Sequence, residues 1–102
     1  MITLARIRED LREIRYYYIH KSEFDENVKI IGANEILKKA ERYHTIMRSA
    51  SPLLFNLYAG LYIRGNTQEG LAVELGYSSV YIQMQNKKLL LYLQSKLSGE
   101  TL

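Results

Sequence analysis

Residues 66–93 read NTQEGLAVELGYSSVYIQMQNKKLLLYL, and the punctuation of this stretch decides the fold. Thr67 is a capping residue by type, because its hydroxyl can accept from an unpaired N–H of a first helical turn. Leu71, Ala72 and Leu75 then supply the apolar stripe of a short helix. Gly76 follows where a helix closes on a left-handed residue. After Tyr77, either Ser78 or Ser79 can cap a second, longer helix that runs into the lysines and leucines. A short helix, a glycine turn and a longer helix describe a helix-turn-helix, and equally any α-hairpin of a helical bundle. The ordered spacing of Thr67, Ala72, Gly76 and Ile82 favours the former. Ala72 is small enough for a close crossing, and Ile82 lies on the face that packs back on it.

Upstream, Ser51–Pro52 is a helix start, a capping serine followed by proline at the first helical position. Leu53, Leu54, Leu57, Tyr58, Leu61 and Tyr62 form its apolar face, and Gly65–Asn66 ends it. This is the supporting first helix of a tri-helical unit. Gly60 inside it costs ~1 kcal/mol against alanine unless another helix approaches there.

Earlier still, residues 3–20 place Leu4, Ile7, Leu11, Ile14 and Tyr18 at spacings of three and four, with charged flanks. Such a helix either packs on the core or dimerises. Tyr16, Tyr17 and Tyr18 point in three directions, which suits packing better than stacking on bases. Residues 21–33 form a connection, with Val28, Ile30 and Ile31 tucked under the core. The acidic residues Glu23, Asp25 and Glu26 lack the alternating ligands of a calcium loop. Asn34 can cap a helix reaching to about Ser49, with Ile36, Leu37, Ala40, Tyr43, Ile46 and Met47 inward and Lys38, Lys39, Glu41, Arg42 and Arg48 outward. His20 and His44 have no ligand at the spacing of a metal pair and read as surface or structural residues. No metal site and no cofactor is expected.

The final helix changes character along its length. SSVYIQMQNKK is polar enough to face a groove; LLLYLQSKL is apolar on nearly every side. With Ile82, Leu89, Leu93 and Leu97 serving the core, Leu90, Leu91 and Tyr92 point partly elsewhere, to be covered either by the N-terminal helix folding back or, the favoured reading, by a second chain, with these three as the dimerisation face. The expected architecture is all-α, with four to five helices: an N-terminal helical region over residues 1–50, packed on a C-terminal tri-helical helix-turn-helix over 51–98, and a tail at 99–102.

The chain of 102 residues is sized for one core. Apolar residues make up 47 %, with one proline and six glycines, which argues against low-complexity disorder. Without cysteine there is neither a disulfide framework nor a thiolate metal site, which suits a cytoplasmic protein. No run approaches the ~20 apolar residues of a membrane span, and no secretory signal is recognisable. The net charge is +3, and its distribution matters more than its size. Ten Lys/Arg face eight Asp/Glu in residues 1–50, whereas residues 77–98 carry only Lys87, Lys88 and Lys96. No acid there repels phosphate.

LYIRGNTQEGLAVELGYSSVYI, residues 61–82, resembles the fourth-region helix-turn-helix of bacterial sigma factors. With REIRYYYIHKSEFDE, ILKKAERY and the NKKLL after the turn, the whole chain resembles small phage-encoded transcriptional regulators of the ArpU type. The resemblance implies control of late genes. One departure stands out. Sigma-like recognition helices carry a basic residue in their first turn and an apolar one four places after the Ile82 position; here those places hold Ser79 or Val80, and Asn86.

The expected function is sequence-specific binding of double-stranded DNA by a homodimer, with segment 79–88 in the major groove. Gln83 is the base reader, since its amide matches N6 and N7 of adenine. Ser78 and Ser79 meet phosphate or a base edge, and Tyr81 meets phosphate or the core. Lys87 and Lys88 meet phosphate, and Gln68 opens the positioning helix against the backbone. The alternative is an adaptor that binds RNA polymerase or a host protein through the last helix. An enzyme is not expected, because no GxSxG, phosphate-binding glycine loop, HExxH or cysteine nucleophile is present.

Overall fold

The computed structural model describes residues 1–21 and 33–100. Among them are five α-helices and no strand: α1 (Leu4–Ile19), α2 (Ala33–Met47), α3 (Pro52–Tyr58), α4 (Gln68–Leu75) and α5 (Ser79–Glu100). The expected anchoring of Val28, Ile30 and Ile31 and the solvated trio Glu23, Asp25 and Glu26 lie outside the described residues.

Each helix starts where its local chemistry directs. The Thr3 hydroxyl accepts from Arg6 N–H at 3.1 Å, Ser51 from Leu54 at 3.3 Å and Thr67 from Gly70 at 2.9 Å, each removing one orphan donor of a first turn. Ser78, rather than Ser79, caps α5 by accepting from Tyr81 N–H at 3.1 Å. The second helix begins at Ala33, one residue before the expected cap position Asn34. At the turn, Gly76 has φ +76°, and Tyr77 N–H returns to the Ala72 carbonyl at 2.9 Å, closing α4.

The third helix departs from a plain α-helix. After Tyr58 it widens into one π turn, Ala59–Ile63, with Asn66 N–H bonded to the Gly60 carbonyl at 3.0 Å. Two contacts made from elsewhere meet this turn. A Cβ on Gly60 would stand 2.8 Å from Leu71 Cδ1, so the bare backbone is where α4 crosses. From α1, Arg15 donates through Nε to the Leu61 carbonyl at 3.2 Å and through Nη2 to the Gly65 carbonyl at 2.9 Å. The guanidinium thus satisfies carbonyls released by the helix end and fixes the entry to α4.

α5 packs against α1, α2, α3 and α4, and α1 in turn contacts α2, the π turn and α5. Ile7, Leu11 and Ile14 are fully buried in one cluster with Tyr43, Met47, Leu57, Leu71, Ile82, Leu89 and Leu93. The heptad-like stripe is therefore consumed inside one chain, and the dimerising reading of α1 does not hold. As expected of successive helical positions, Tyr16 is exposed, Tyr17 buried and Tyr18 half-buried.

Polar links pin α2. Asp10, one of the charged residues beside the apolar stripe of α1, is buried; it accepts from the Tyr43 hydroxyl at 2.7 Å and pairs with Lys39 Nζ at 3.1 Å. Lys39, expected outward, also pairs with Glu13 at 2.6 Å. Burial opposes its charge, but the hydrogen bonds to Glu13 and Asp10 outweigh that and raise its pKa. Tyr43 is held protonated far above its ordinary range, first by burial and then by the Asp10 carboxylate. His44 sits between the Tyr18 hydroxyl, 2.8 Å from Nε2, and the Tyr58 hydroxyl at Nδ1, so one imidazole joins α1, α2 and α3.

Leu75 and Leu90 trade their expected places. Leu71 and Ala72 are buried, but Leu75 is 37 % exposed, since it stands in the last turn of α4 beside the exposed residues 76–78, where the core has run out. Leu90 is 3 % exposed and belongs to the core, so it is not a free dimerisation residue. α1, α3 and α4 together cover more of α5 than an apolar count along one helix can reveal.

Candidate nucleic-acid interface

The outward face of α5 follows from its inward one. Ile82, Gln85, Leu89, Leu90, Leu93 and Leu97 are buried, which turns Val80, Gln83, Met84, Lys87, Lys88 and Leu91 to solvent. Of the expected readers, Gln83, Lys87 and Lys88 thus share one exposed surface within segment 79–88. Gln83 and Lys87 are a helical turn apart on one flank, and Lys88 lies on the other. No acidic side chain accompanies them on α5 among residues 79–99.

The remaining expected contacts fare differently. Ser78 is exposed, but its oxygen is engaged in capping. Ser79 is half-buried in the first turn. Tyr81 is half-buried with its ring 4.6 Å from that of Tyr77, so it braces the turn. Gln68 is half-buried and lines a hollow of about 210 Å³ with Arg15, Leu61, Tyr62, Asn66 and Thr67. It faces α1 and α3 rather than sharing the surface of Gln83, and the exposed carboxylate of Glu69 follows it directly. Tyr92, expected at a dimer face, is half-buried, with its hydroxyl 2.6 Å from Ser49 Oγ and its ring 5.6 Å from Lys96 Nζ. Leu91 alone of that trio is open, at 45 %.

Asn86 explains the departure noted in the sequence. Where an apolar residue would pack, the Tyr62 hydroxyl donates to Asn86 Oδ1 at 2.7 Å, and the pair joins the π turn to α5. Burial pushes the Tyr62 pKa up, while Asn86, Arg8 and Arg15 pull the other way. A polar contact here replaces a hydrophobic one without opening the unit.

Two features escape a reading of the sequence by residue type. Val80 and Met84, 63 % and 54 % exposed, run down the middle of the outward face. The signal for them is the inward placement of Ile82, which fixes positions 80 and 84 outward by helical geometry. The other is Arg8, Arg12 and Arg15 of α1. They follow one another at i, i+4 and i+7 and border a hollow of about 300 Å³ with Tyr62 and Asn86.

Among the described residues no group of three His, Asp or Glu side chains is arranged to hold a metal ion, and no helix is long and apolar enough to cross a membrane. Comparison of the chain with protein-family models, with curated proteins and with solved structures returns no match.

Proposed function

We propose that the chain is a cytoplasmic, sequence-specific regulator of transcription that binds double-stranded DNA through α4 and α5. What carries the reading is one juxtaposition. A glycine-turned helix pair, with a capped second helix that carries no acid over residues 79–99, presents Gln83, Lys87 and Lys88 outward, while the apolar side of that helix is anchored in the core. In this reading segment 79–88 enters the major groove. Gln83 pairs with N6 and N7 of adenine, and the exposed Val80 and Met84 offer apolar contact to thymine methyl groups. Lys87 and Lys88 bind phosphate and set the register without reading sequence. Arg15, by holding the carbonyls of Leu61 and Gly65, keeps α3 and α4 in fixed relation so that the helix is presented rigidly. A homodimer on a palindromic site belongs to the same proposal, and its contact has to centre on Leu91. The resemblance to phage late-gene regulators and to the sigma fourth region agrees with this role.

The test is an electrophoretic shift with DNA from the protein's own genomic neighbourhood, a nonspecific competitor and a salt series. Retention of one fragment against competitor supports the reading; equal affinity for every fragment removes sequence specificity, and no binding at low salt removes DNA altogether.

A second reading has its own observation. Val73, Leu75, Tyr77, Val80 and Met84 are all exposed around the turn, an apolar tip that also suits a protein partner. In that case the chain is an adaptor for RNA polymerase or a host protein, and Met84→Ala, rather than Lys87→Ala, abolishes its activity.

A further inference from the structure

The helix proposed to enter the groove carries only two lysines at its groove end, Lys87 and Lys88, and no basic residue in its first turn. Positive charge nevertheless accumulates beside it, on a different element. Arg8, Arg12 and Arg15 share one side of α1, and Arg8 and Arg12 stand about 6 Å apart along the axis. The carboxylates of the same helix are drawn elsewhere: Glu9 toward Arg6, Asp10 toward Arg6 and Lys39, Glu13 toward Lys39. Arg15 is spent on backbone carbonyls, whereas Arg8 and Arg12 are exposed and form no ion pair among the described residues.

The position of this charge follows from where the N-terminal segment and α1 meet α5. Gln94 Nε2 donates to the Ile2 carbonyl at 3.1 Å, and Asn86 borders the same hollow as Arg8 and Arg12. The N-terminal end of α1 thus lies beside the later turns of α5, and its arginines lie beside the earlier ones. Asn86 is three residues from Gln83 and adjacent to Lys87, on the flank of α5 that faces α1. The hollow is open and is also lined by Tyr62 and Asn86, whose amide oxygen accepts from the Tyr62 hydroxyl. The charged groups that line it are the guanidiniums of Arg8, Arg12 and Arg15, which suit phosphate and do not by themselves choose a base.

We propose that the groove between α1 and α5 receives a phosphodiester strand of the DNA, with Arg8 and Arg12 as its phosphate contacts. This rests on the DNA-binding reading and extends it: the footprint spans the N-terminal helix, and α1 supplies the charge that the first turn of α5 lacks. These contacts add affinity for any sequence and none for a particular one.

The experiment is a salt titration of binding to a short mixed-sequence duplex, for the unaltered protein, Arg8→Ala, Arg12→Ala, the double variant and Arg8→Lys/Arg12→Lys. Both side chains are exposed, and a circular dichroism melt confirms that each variant is folded. Each alanine is expected to reduce the slope of log K against log salt by about one, the double variant by about two, and the lysine pair to restore it. Binding with a slope that none of the substitutions moves overturns the groove assignment and leaves the α5 reading standing. Absence of binding by the unaltered protein at low salt overturns both.

Discussion

Gln83 and Lys87 lie a turn apart on one flank of α5, and their chemistry separates two kinds of binding energy. An amide that forms two hydrogen bonds to adenine discriminates between sequences; an ammonium that displaces counterions does not. Gln83→Ala is expected to narrow the gap between specific and random DNA by ~1–3 kcal/mol. Lys87→Ala is expected to weaken both alike and lower the salt slope by about one. Competition shifts at several salt concentrations distinguish them, and the reverse pattern would mean that α5 enters the groove rotated about its axis. The paired leucines of α4 make a second test at this scale. Leu71 is fully buried against Gly60, and Leu71→Ala is expected to cost ~2–5 kcal/mol. Leu75 is partly exposed at the tip, and Leu75→Ala is expected to cost less than ~1 kcal/mol. Urea denaturation of the two variants measures the difference, and equal losses would put Leu75 in the core after all.

Helix boundaries were legible because they are written locally. Thr3, Ser51 and Thr67 each cap a turn that begins within three residues of them, and Gly76 closes one by its own φ. The assignment of faces was legible only where a helix is amphipathic. On α1 the stripe Ile7, Leu11 and Ile14 gave its inner side, yet Asp10 lies buried because Tyr43 and Lys39, some thirty residues away in sequence, reach it. On α5 the apolar run gave no preferred side, so Leu90 and Leu91 could not be told apart until α1 and α3 were packed against it. The candidate site shows the same division. Gln83, Lys87 and Lys88 were found by type, whereas Val80 and Met84 needed the position of Ile82, and Arg8 and Arg12 needed the packing of α1 beside Asn86. The two leucines turn this into a prediction. Leu90→Asp puts a carboxylate into the core and is expected to leave the protein largely unfolded. Leu91→Asp is expected to fold with a near-unchanged denaturation midpoint and to sediment as a monomer. A Leu91→Asp protein that still sediments as a dimer would place the contact between copies elsewhere.

At the scale of the molecule, one side chain ties the N-terminal helices to the third helix, which leads into the proposed DNA-binding pair. His44 of α2 is hydrogen-bonded to Tyr18 of α1 and Tyr58 of α3, and Tyr58 leads directly into the π turn that carries Gly60. Burial lowers the His44 pKa below its ordinary value, and the nearby positive charge of Arg48 lowers it further, with Glu41 opposing. The unfolded chain, with an ordinary histidine near pH 6.5, therefore binds a proton at a higher pH than the folded one does. Stability is fully present above that value. It falls as the pH drops from about 6.5 toward the lower folded pKa, where the folded state can finally share the proton. Because the clasp joins three helices that share one core, its loss is expected as a drop in the midpoint of the whole unfolding transition rather than as local fraying. The measurement is urea denaturation at pH 7.5 and pH 5.5, followed both by helix content and by tyrosine fluorescence. The unaltered protein is expected to lose stability between the two, with both signals moving together. His44→Gln is expected to be less stable at pH 7.5 and to change less on acidification. An equal loss in both proteins would mean that the acid sensitivity does not come from the imidazole.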